Sequence, residues 1–257
     1  IIDPICGMLA NGDTGDGKLP SEETLVEYVV RELAFEKDMQ GMKVLVTAGP
    51  TREAIDPVRF ITNHSTGKMG YAIAKMAMLR GAEVTLVSGP TAIEPPMFVE
   101  VVPVMSAEDM YQAVMNRAEG MDLIIKAAAV ADYRPAEIAS EKIKKSDTQT
   151  RLNLERTTDI LGELGKRKGD TVLCGFSMET EHMLENSRKK LKKKNLDMIA
   201  ANNLKQEGAG FGTNTNVLTL ITDDSERQLE MMSKEEAANC LLEELLIIKR
   251  RRHSLGD

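Results

Sequence analysis

The amino-acid sequence predicts an α/β protein built on a doubly wound, mostly parallel sheet with a late antiparallel hairpin. Three observations carry this. Short, β-branched apolar runs alternate with longer segments whose apolar residues recur at helical spacing. Two of the runs close on Gly-Pro, at Gly49-Pro50 and Gly89-Pro90, the punctuation of a strand that ends in a turn. Near the C-terminus, Asp223-Asp-Ser-Glu-Arg227 follows an apolar run directly, as a hairpin turn would.

Residues 1–20 contain Gly7, Gly12, Gly15 and Gly17 and read as a loop. A helix is expected over 21–38, capped by Ser21, with Leu25, Val29 and Leu33 on one face. A polar link over 37–41 leads into the main unit, placed at 42–249. There the first strand is 43–48, and a helix over 67–80 stops at Gly81. Strands follow at 83–88 and 99–104, then a helix over 107–119 opened by the capping pair Ser106 and Asp109. The fourth strand is 122–128, and residues 130–156 read as irregular and basic. A helix over 159–168, a strand at 171–176, a helix over 183–194 and a strand at 198–201 continue the alternation. A Gly/Asn-rich loop, 202–216, precedes the strand 217–222, and a helix over 234–249 closes the unit. The tail 250–257 is expected to fray. Strands separated by helices in this way predict a Rossmann-like sheet.

Bulk properties limit the function classes. The chain has 257 residues, 42% hydrophobic and 28% charged, as in ordinary globular proteins. Trp is absent and Met numbers 16, so the core is aliphatic. A net charge of −7 argues against a general nucleic-acid binder but allows a local basic pocket. Cys6, Cys174 and Cys240 are scattered without metal-ligand spacing, and reduced thiols in a cytoplasmic protein are the expectation. No apolar run approaches the roughly 20 residues of a membrane-spanning helix, and no membrane association is expected. The chain begins Ile-Ile-Asp-Pro rather than with Met, which reads as part of something longer.

The most informative stretch is 44–70. A strand ends in Gly49-Pro50, a polar loop carries Thr51, Arg52, Glu53, Asp56, Arg59, Asn63 and His64, and Ser65-Thr-Gly67 opens a helix. Helix-start N–H groups lack internal partners and the dipole favours negative charge there, so this is a candidate anion site. One reading is a nicotinamide-binding oxidoreductase: Thr66-Gly67-x-x-Gly70 resembles a glycine turn, and Tyr71-Ala-Ile-Ala-Lys75 has Y-x-x-x-K spacing. Against it, the glycines lie far from the end of the first strand, Tyr71 and Lys75 abut the glycines on one helix, and the second strand ends in Ser88-Gly-Pro rather than an acid. A non-catalytic nucleotide-binding assembly module is a further alternative.

The block Gly49-Pro-Thr-Arg-Glu-Ala-Ile-Asp-Pro-Val-Arg-Phe-Ile-Thr-Asn-His-Ser-Thr-Gly-Lys-Met-Gly70 resembles bacterial phosphopantothenoylcysteine synthetase, the ligase half of the bifunctional coenzyme A biosynthesis protein. The resemblance continues, in order, through Lys126-Ala-Ala-Ala-Val-Ala-Asp-Tyr-Arg-Pro135, Glu141-Lys-Ile-Lys-Lys145, Thr157-x-Asp-Ile160, Gly175-Phe176 with Glu179-Thr180, and Lys194 to Asn202. It implies a ligase that joins 4′-phosphopantothenate to L-cysteine. CTP would activate the carboxylate as an acyl-cytidylate, with Mg2+ present, in a homodimer. CTP over ATP follows from the bacterial type of the match and not from any residue read independently.

Residue by residue, the resemblance implies that Asn63 and Lys142 are catalytic: Asn63 would handle the acyl-cytidylate and Lys142 would help form it. It implies nucleotide contacts for Gly49, Ser65, Gly67, Gly70, Ala128, Asp132, Lys142, Phe176, Lys194 and Asn202. Asp132, taken as the end of the fourth strand, is also the magnesium candidate. Lys144 and Lys145 would assist at the phosphates, while Arg59 and His64 are expected to be structural or dimer contacts. Residues 8–20 resemble the last loop of the flavin-dependent decarboxylase half, with Asn11 where that family has a Cys. Residues 1–41 are therefore read as a decarboxylase remnant and linker helix, poorly ordered in solution, with no FMN and no decarboxylation expected from this chain.

Overall fold

The computed structural model describes residues 1–8, 12–145, 151–179, 182–203 and 212–256. Eight strands form the central sheet: β1 Lys43–Ala48, β2 Glu83–Ser88, β3 Glu100–Pro103, β4 Leu123–Lys126, β5 Val172–Glu179, β6 Met198–Asn203, β7 Leu218–Ile221 and β8 Glu226–Gln228. Their order is β8-β7-β6-β5-β4-β1-β2-β3. The six from β3 to β6 are parallel, and β7 and β8 add antiparallel at one edge. The strand order reverses between β1 and β4, which opens a crevice at the carboxyl ends of those strands.

Helices cover both faces: α1 Glu22–Leu33, α2 Lys68–Leu79, α3 Ala107–Met115, α4 Ile160–Arg167, α5 Met183–Lys193 and α6 Lys234–Gly256. Alternation along each strand assigns side chains to one face or the other. Val44, Val46, Leu123, Ile125, Met198 and Ala200 pack with α2 and α6, whereas Leu45, Ile124, Leu173 and Ile199 pack with α3, α4 and α5. Every core strand is apolar on both sides, as a sheet sandwiched between helices requires.

Several expectations are corrected. The N-terminal loop is a hairpin, Ile5–Met8 paired with Thr14–Lys18. Such Gly-rich strands have few side chains to pack, so their sequence carries no strand signal. The segment 130–156 is not wholly irregular: Tyr133–Pro135 pairs with Leu154–Arg156. Within the loop 49–66, Glu53–Ala54 pairs with Phe60–Ile61. Strand β4 ends at Lys126, so Asp132 lies in the loop beyond it rather than at its tip. The tail does not fray where expected, because α6 runs on to Gly256. There Arg252 pairs with Asp197 and donates to the Thr171 carbonyl at 3.1 Å, tying that end of the helix down. Asn11, Thr180 and the greater part of the Gly/Asn loop, 204–211, lie outside the described residues.

Candidate functional site

The crevice at the β1/β4 reversal is a cavity of about 610 Å³. Its walls come from the start of α2, the segments after β4 and before α4, the end of β5, and α5. Of the residues singled out in the sequence, Ser65, Gly67, Gly70, Ala128, Asp132, Phe176, Lys194 and Asn202 line it together. Such convergence from distant segments depends on the strand order, since β1 lies beside β4 and β4 beside β5.

The loop after β1 is laced to the segment after β4. The Ala129 N–H donates to the Gly49 carbonyl at 2.9 Å, and the Ala131 N–H donates to Thr51 Oγ1 at 3.0 Å. Asn63 Nδ2 donates to the Ala129 carbonyl at 2.6 Å, while its Oδ1 accepts from the Ser65 N–H at 2.8 Å. Asn63 is thus a staple beside the cavity, with both ends of its amide engaged, and it does not line the wall. Gly49 also stands behind the wall, against the turn at Gly89.

Gly67 is the N-cap of α2; its φ of 80° is left-handed and it offers no side-chain cap. The first turn holds no acidic residue, so its N–H groups and dipole face the cavity uncompensated. Gly70 brings α2 against β1: a Cβ there would sit 2.6 Å from the Ala48 Cβ and 2.9 Å from the Thr47 carbonyl oxygen.

Three lysines stand on the opposite side of the crevice. Lys194 Nζ donates to Asp159 Oδ1 at 2.9 Å, and Lys190 Nζ to the Phe176 carbonyl at 2.8 Å. Lys126, at the tip of β4, is pulled down to about 7, first by burial and then by Lys190 and Lys194, with Asp159 and Asp132 opposing. Burial works to raise Asp159, but its bonds to Lys194 and the Gly162 N–H hold it below the usual carboxylate range. Lys126, Lys190 and Asp159 received no role in the sequence reading. The signal available for Lys126 was a charged residue ending an otherwise apolar strand. Lys190 was hidden in a run of lysines, where helical phase alone separates the inward ones from the solvated ones.

Lys142 is elsewhere. With Arg59, Lys144, Lys145 and Arg151 it lines a separate basic cleft. Asp56 organises that cleft: its buried carboxylate accepts from Arg59 Nε at 3.0 Å, the Arg59 N–H at 2.8 Å and the Ile143 N–H at 3.1 Å. The Arg59 guanidinium holds Asp56 far below the usual carboxylate range. Arg59 is therefore a structural clamp on the lysine segment, and its guanidinium remains half-exposed.

The Y-x-x-x-K pair does not face the cavity. The buried Tyr71 hydroxyl is shared with Ser88 Oγ at 3.0 Å and Thr91 Oγ1 at 2.9 Å, and Lys75 Nζ bonds Glu235 at 2.8 Å. Among the described residues no cluster of three or more His, Cys, Asp or Glu could hold a metal ion. Magnesium beside a nucleotide is held by one or two carboxylates and the phosphates themselves, and Asp132 is one carboxylate on this wall. Among the described residues no helix is long and apolar enough to cross a membrane.

The family model described as "DNA/pantothenate metabolism flavoprotein C-terminal domain" matches residues 39–248. The chain belongs to this family. It is 45% identical over 254 residues to the coenzyme A biosynthesis bifunctional protein CoaBC of Bacillus subtilis, covering 97% of this chain and 63% of that protein. It thus spans under two thirds of that relative's length. The crystal structure of the C-terminal domain of a CoaBC protein superposes with a TM-score of 0.71 at 44% identity, over 84% of this chain and 98% of that one. The DNA/pantothenate metabolism flavoprotein from Streptococcus pneumoniae gives the same TM-score at 28% identity, over 81% and 100%. The α/β architecture with its largely parallel sheet is that of the CoaBC C-terminal domain.

Proposed function

We propose that this chain is a CTP-dependent ligase that joins 4′-phosphopantothenate to L-cysteine in coenzyme A biosynthesis. The observation that carries the reading is the polyanion site: a cavity at the switch point with the open start of α2 on one side and Lys126, Lys190 and Lys194 on the other. Family membership, and the 44% identity to a CoaBC C-terminal domain, support coenzyme A biosynthesis as the setting.

A carboxylate is a poor electrophile, so the acid must be activated. The substrate carboxylate oxygen attacks the α-phosphorus of CTP, forming the acyl-cytidylate and expelling pyrophosphate. The neutral amine of cysteine then attacks the acyl carbon, the amide forms, CMP departs, and the amine proton passes to solvent. Lys190 and Lys194 offset the charge that accumulates on the phosphates, and donors fixed in advance cost no reorganisation during the step. Phe176 is available to pack against the nucleotide, while Asp132 would hold magnesium, which supplies charge neutralisation at the phosphates when bound. Lys142, on its exposed basic segment, would reach the activated centre by closure of 142–145 over the substrate. Asn63 would act from behind the wall, fixing Ser65 and Ala129, and could contact the acyl group only by exchanging one of its present bonds. Dimerisation through the ligase unit, and linkage in the parent protein to a flavin-dependent decarboxylase domain, belong to the same proposal.

The test is pyrophosphate release with CTP, 4′-phosphopantothenate and Mg2+, with and without cysteine. Release that needs the acid, followed by cysteine-dependent CMP formation, is expected. Nucleotide binding without release would instead identify a non-catalytic module. Lys142→Gln should suppress cytidylate formation, and an undiminished burst of pyrophosphate would remove Lys142 from the mechanism.

A further inference from the structure

Tyr71 stands out in the sequence for its Y-x-x-x-K spacing, yet it is not part of the cavity wall. Its hydroxyl belongs instead to a directed chain. Thr91 Oγ1 donates to Tyr71 Oη at 2.9 Å, Tyr71 Oη donates to Ser88 Oγ at 3.0 Å, and Ser88 Oγ donates to the Gly89 carbonyl at 2.8 Å. The direction of the middle bond follows from the outer two, because each hydroxyl has one proton to give. Tyr71 and Ser88 are both buried. The chain fixes Thr91, whose methyl lies between two glycines: a Cβ on Gly67 would stand 2.7 Å from Thr91 Cγ2, and one on Gly49 2.9 Å. Both glycines are left-handed, with φ of 80° and 73°. Gly67 is also the N-cap of α2 and part of the cavity wall. The start of α2 therefore rests on Thr91.

Thr91 opens a loop that ends at Phe98, just before β3. Pro95 and Pro96 stiffen it. Phe98 has a φ of 64°. A left-handed backbone is costly for a bulky side chain and persists only where its neighbours hold it. Those neighbours are on α1. The Tyr28 ring meets the Phe98 ring edge-on at 4.7 Å, and the Arg31 guanidinium stands 4.6 Å from its centroid. Helix α1 buries none of its own residues, although Val30 touches the core. Beside these contacts Glu27 lines a cavity of about 560 Å³, together with Ala72 of α2 and Ile93, Pro95, Pro96 and Met97 of the loop. A helix attached over so little apolar surface belongs to the low-stability end of the molecule and lifts at small cost.

We propose that the loop 89–98 is a strut between α1 and the site: Thr91, oriented by Tyr71 and Ser88, is a positioning residue for the Gly67 N-cap, and the clamp of Tyr28 and Arg31 on Phe98 sets the strut from its far end. Thr91, Phe98, Tyr28 and Arg31 do not line the site cavity, so they act through Gly67 and the first turn of α2. The site is thereby tightened when α1 is docked and loosened when it lifts. The effect on turnover rests on the ligase reading, whereas the mechanical link does not.

The experiment uses the whole chain and two readouts: amide hydrogen exchange over residues 71–74, which begin the intrahelical bonds of α2 with the Tyr71 N–H on the Gly67 carbonyl, and the KM values for CTP and cysteine from pyrophosphate release. Tyr71→Phe breaks the hydroxyl chain and Thr91→Ser removes the methyl. Each should speed exchange at 71–74 and raise the CTP KM about fivefold, the loss for one neutral hydrogen bond, with the cysteine KM unchanged. The double variant Tyr28→Ala, Arg31→Gln changes only the surface of α1 and leaves the core intact. It should move both readouts the same way, with the CTP KM up about threefold or more. Tyr28→Phe, which keeps the ring, and Val29→Ala, on the outward face of α1, should behave as wild type. Exchange that speeds only in α1 and residues 93–98 of the double variant would overturn the strut. So would equal rises in KM for CTP and cysteine, or faster exchange at 71–74 with an unchanged CTP KM. If wild type releases no pyrophosphate from CTP but exchange at 71–74 still answers to Tyr28 and Arg31, the strut stands and the ligase reading falls. If release is normal and neither readout responds, the strut falls and the ligase reading stands.

Discussion

At the scale of single residues, the site is a balance between groups that bind anions and groups that hold the wall in place. Lys126 shows the cost of the first. Its folded pKa lies below its unfolded value, so between about pH 7 and the ordinary lysine range the unfolded chain binds more protons. The destabilisation from burying Lys126 is fully present below pH 7 and vanishes as the pH rises past the unfolded value. Lys126→Met should therefore raise the melting temperature at pH 7 by more than at pH 10 while weakening nucleotide binding. A lower melting temperature at both pH values would refute this. Asn63 shows the second role. Asn63→Asp sets a carboxylate oxygen against the Ala129 carbonyl, so it should cost stability, about 1–3 kcal/mol, as well as turnover. Urea unfolding checks the first part, and an unchanged midpoint would mean that the staple is dispensable. The motif around Asn63 was legible in the sequence, but its partner Ala129 was not. That contact joins residues 66 positions apart, and no local spacing encodes it.

At the scale of elements, periodicity and end signals were sufficient for the main strands and helices. Ser106 and Asp109 form the expected capping box, and Gly81 follows α2 with a left-handed φ of 94°. Strands of two to five residues carry too little periodicity to be legible: the glycine-rich hairpin, the pair flanking residues 136–153, and the short ribbon inside the loop 49–66. These are stabilised by ladder bonds, and hydrophobic pattern says nothing about those. Gly70 belongs to this scale as much as to the site, since it sets how closely α2 approaches β1. Gly70→Ala would overpack that contact and should destabilise by about 1–3 kcal/mol, with nucleotide affinity falling as the start of α2 shifts. A variant as stable as wild type would show that α2 can move outward at no cost.

At the scale of the whole molecule, the end of the sheet opposite the cavity is tied together by Asp197. It pairs with Lys168 at 2.9 Å and with Arg252, and accepts from the Leu173 N–H at 2.8 Å. The last turns of α6 are thereby held to β5 and β6. Asp197→Ala strands two partly buried cations and a backbone donor, so it should cost about 3–5 kcal/mol. Chemical denaturation measures this, and a loss below 1 kcal/mol would show that solvent replaces the carboxylate. Because the clamp lies at the other end of the strands, the surviving folded molecules should bind CTP normally.

Periodicity, caps and turns act over a few residues, so the α/β class, the main elements and the motifs that mark the family are written locally along the chain. Which of those motifs share a cavity is set by the packing of the sheet. Strand order carries Asp132, Phe176, Lys194 and Asn202 to the start of α2, and leaves Lys142 in its own basic cleft. It also revealed Lys126, Lys68 and Lys234 as wall residues, since what a lysine faces depends on the elements packed around it. Burial and the convergence of charges are properties of the assembled sheet, and no window along the chain contains them.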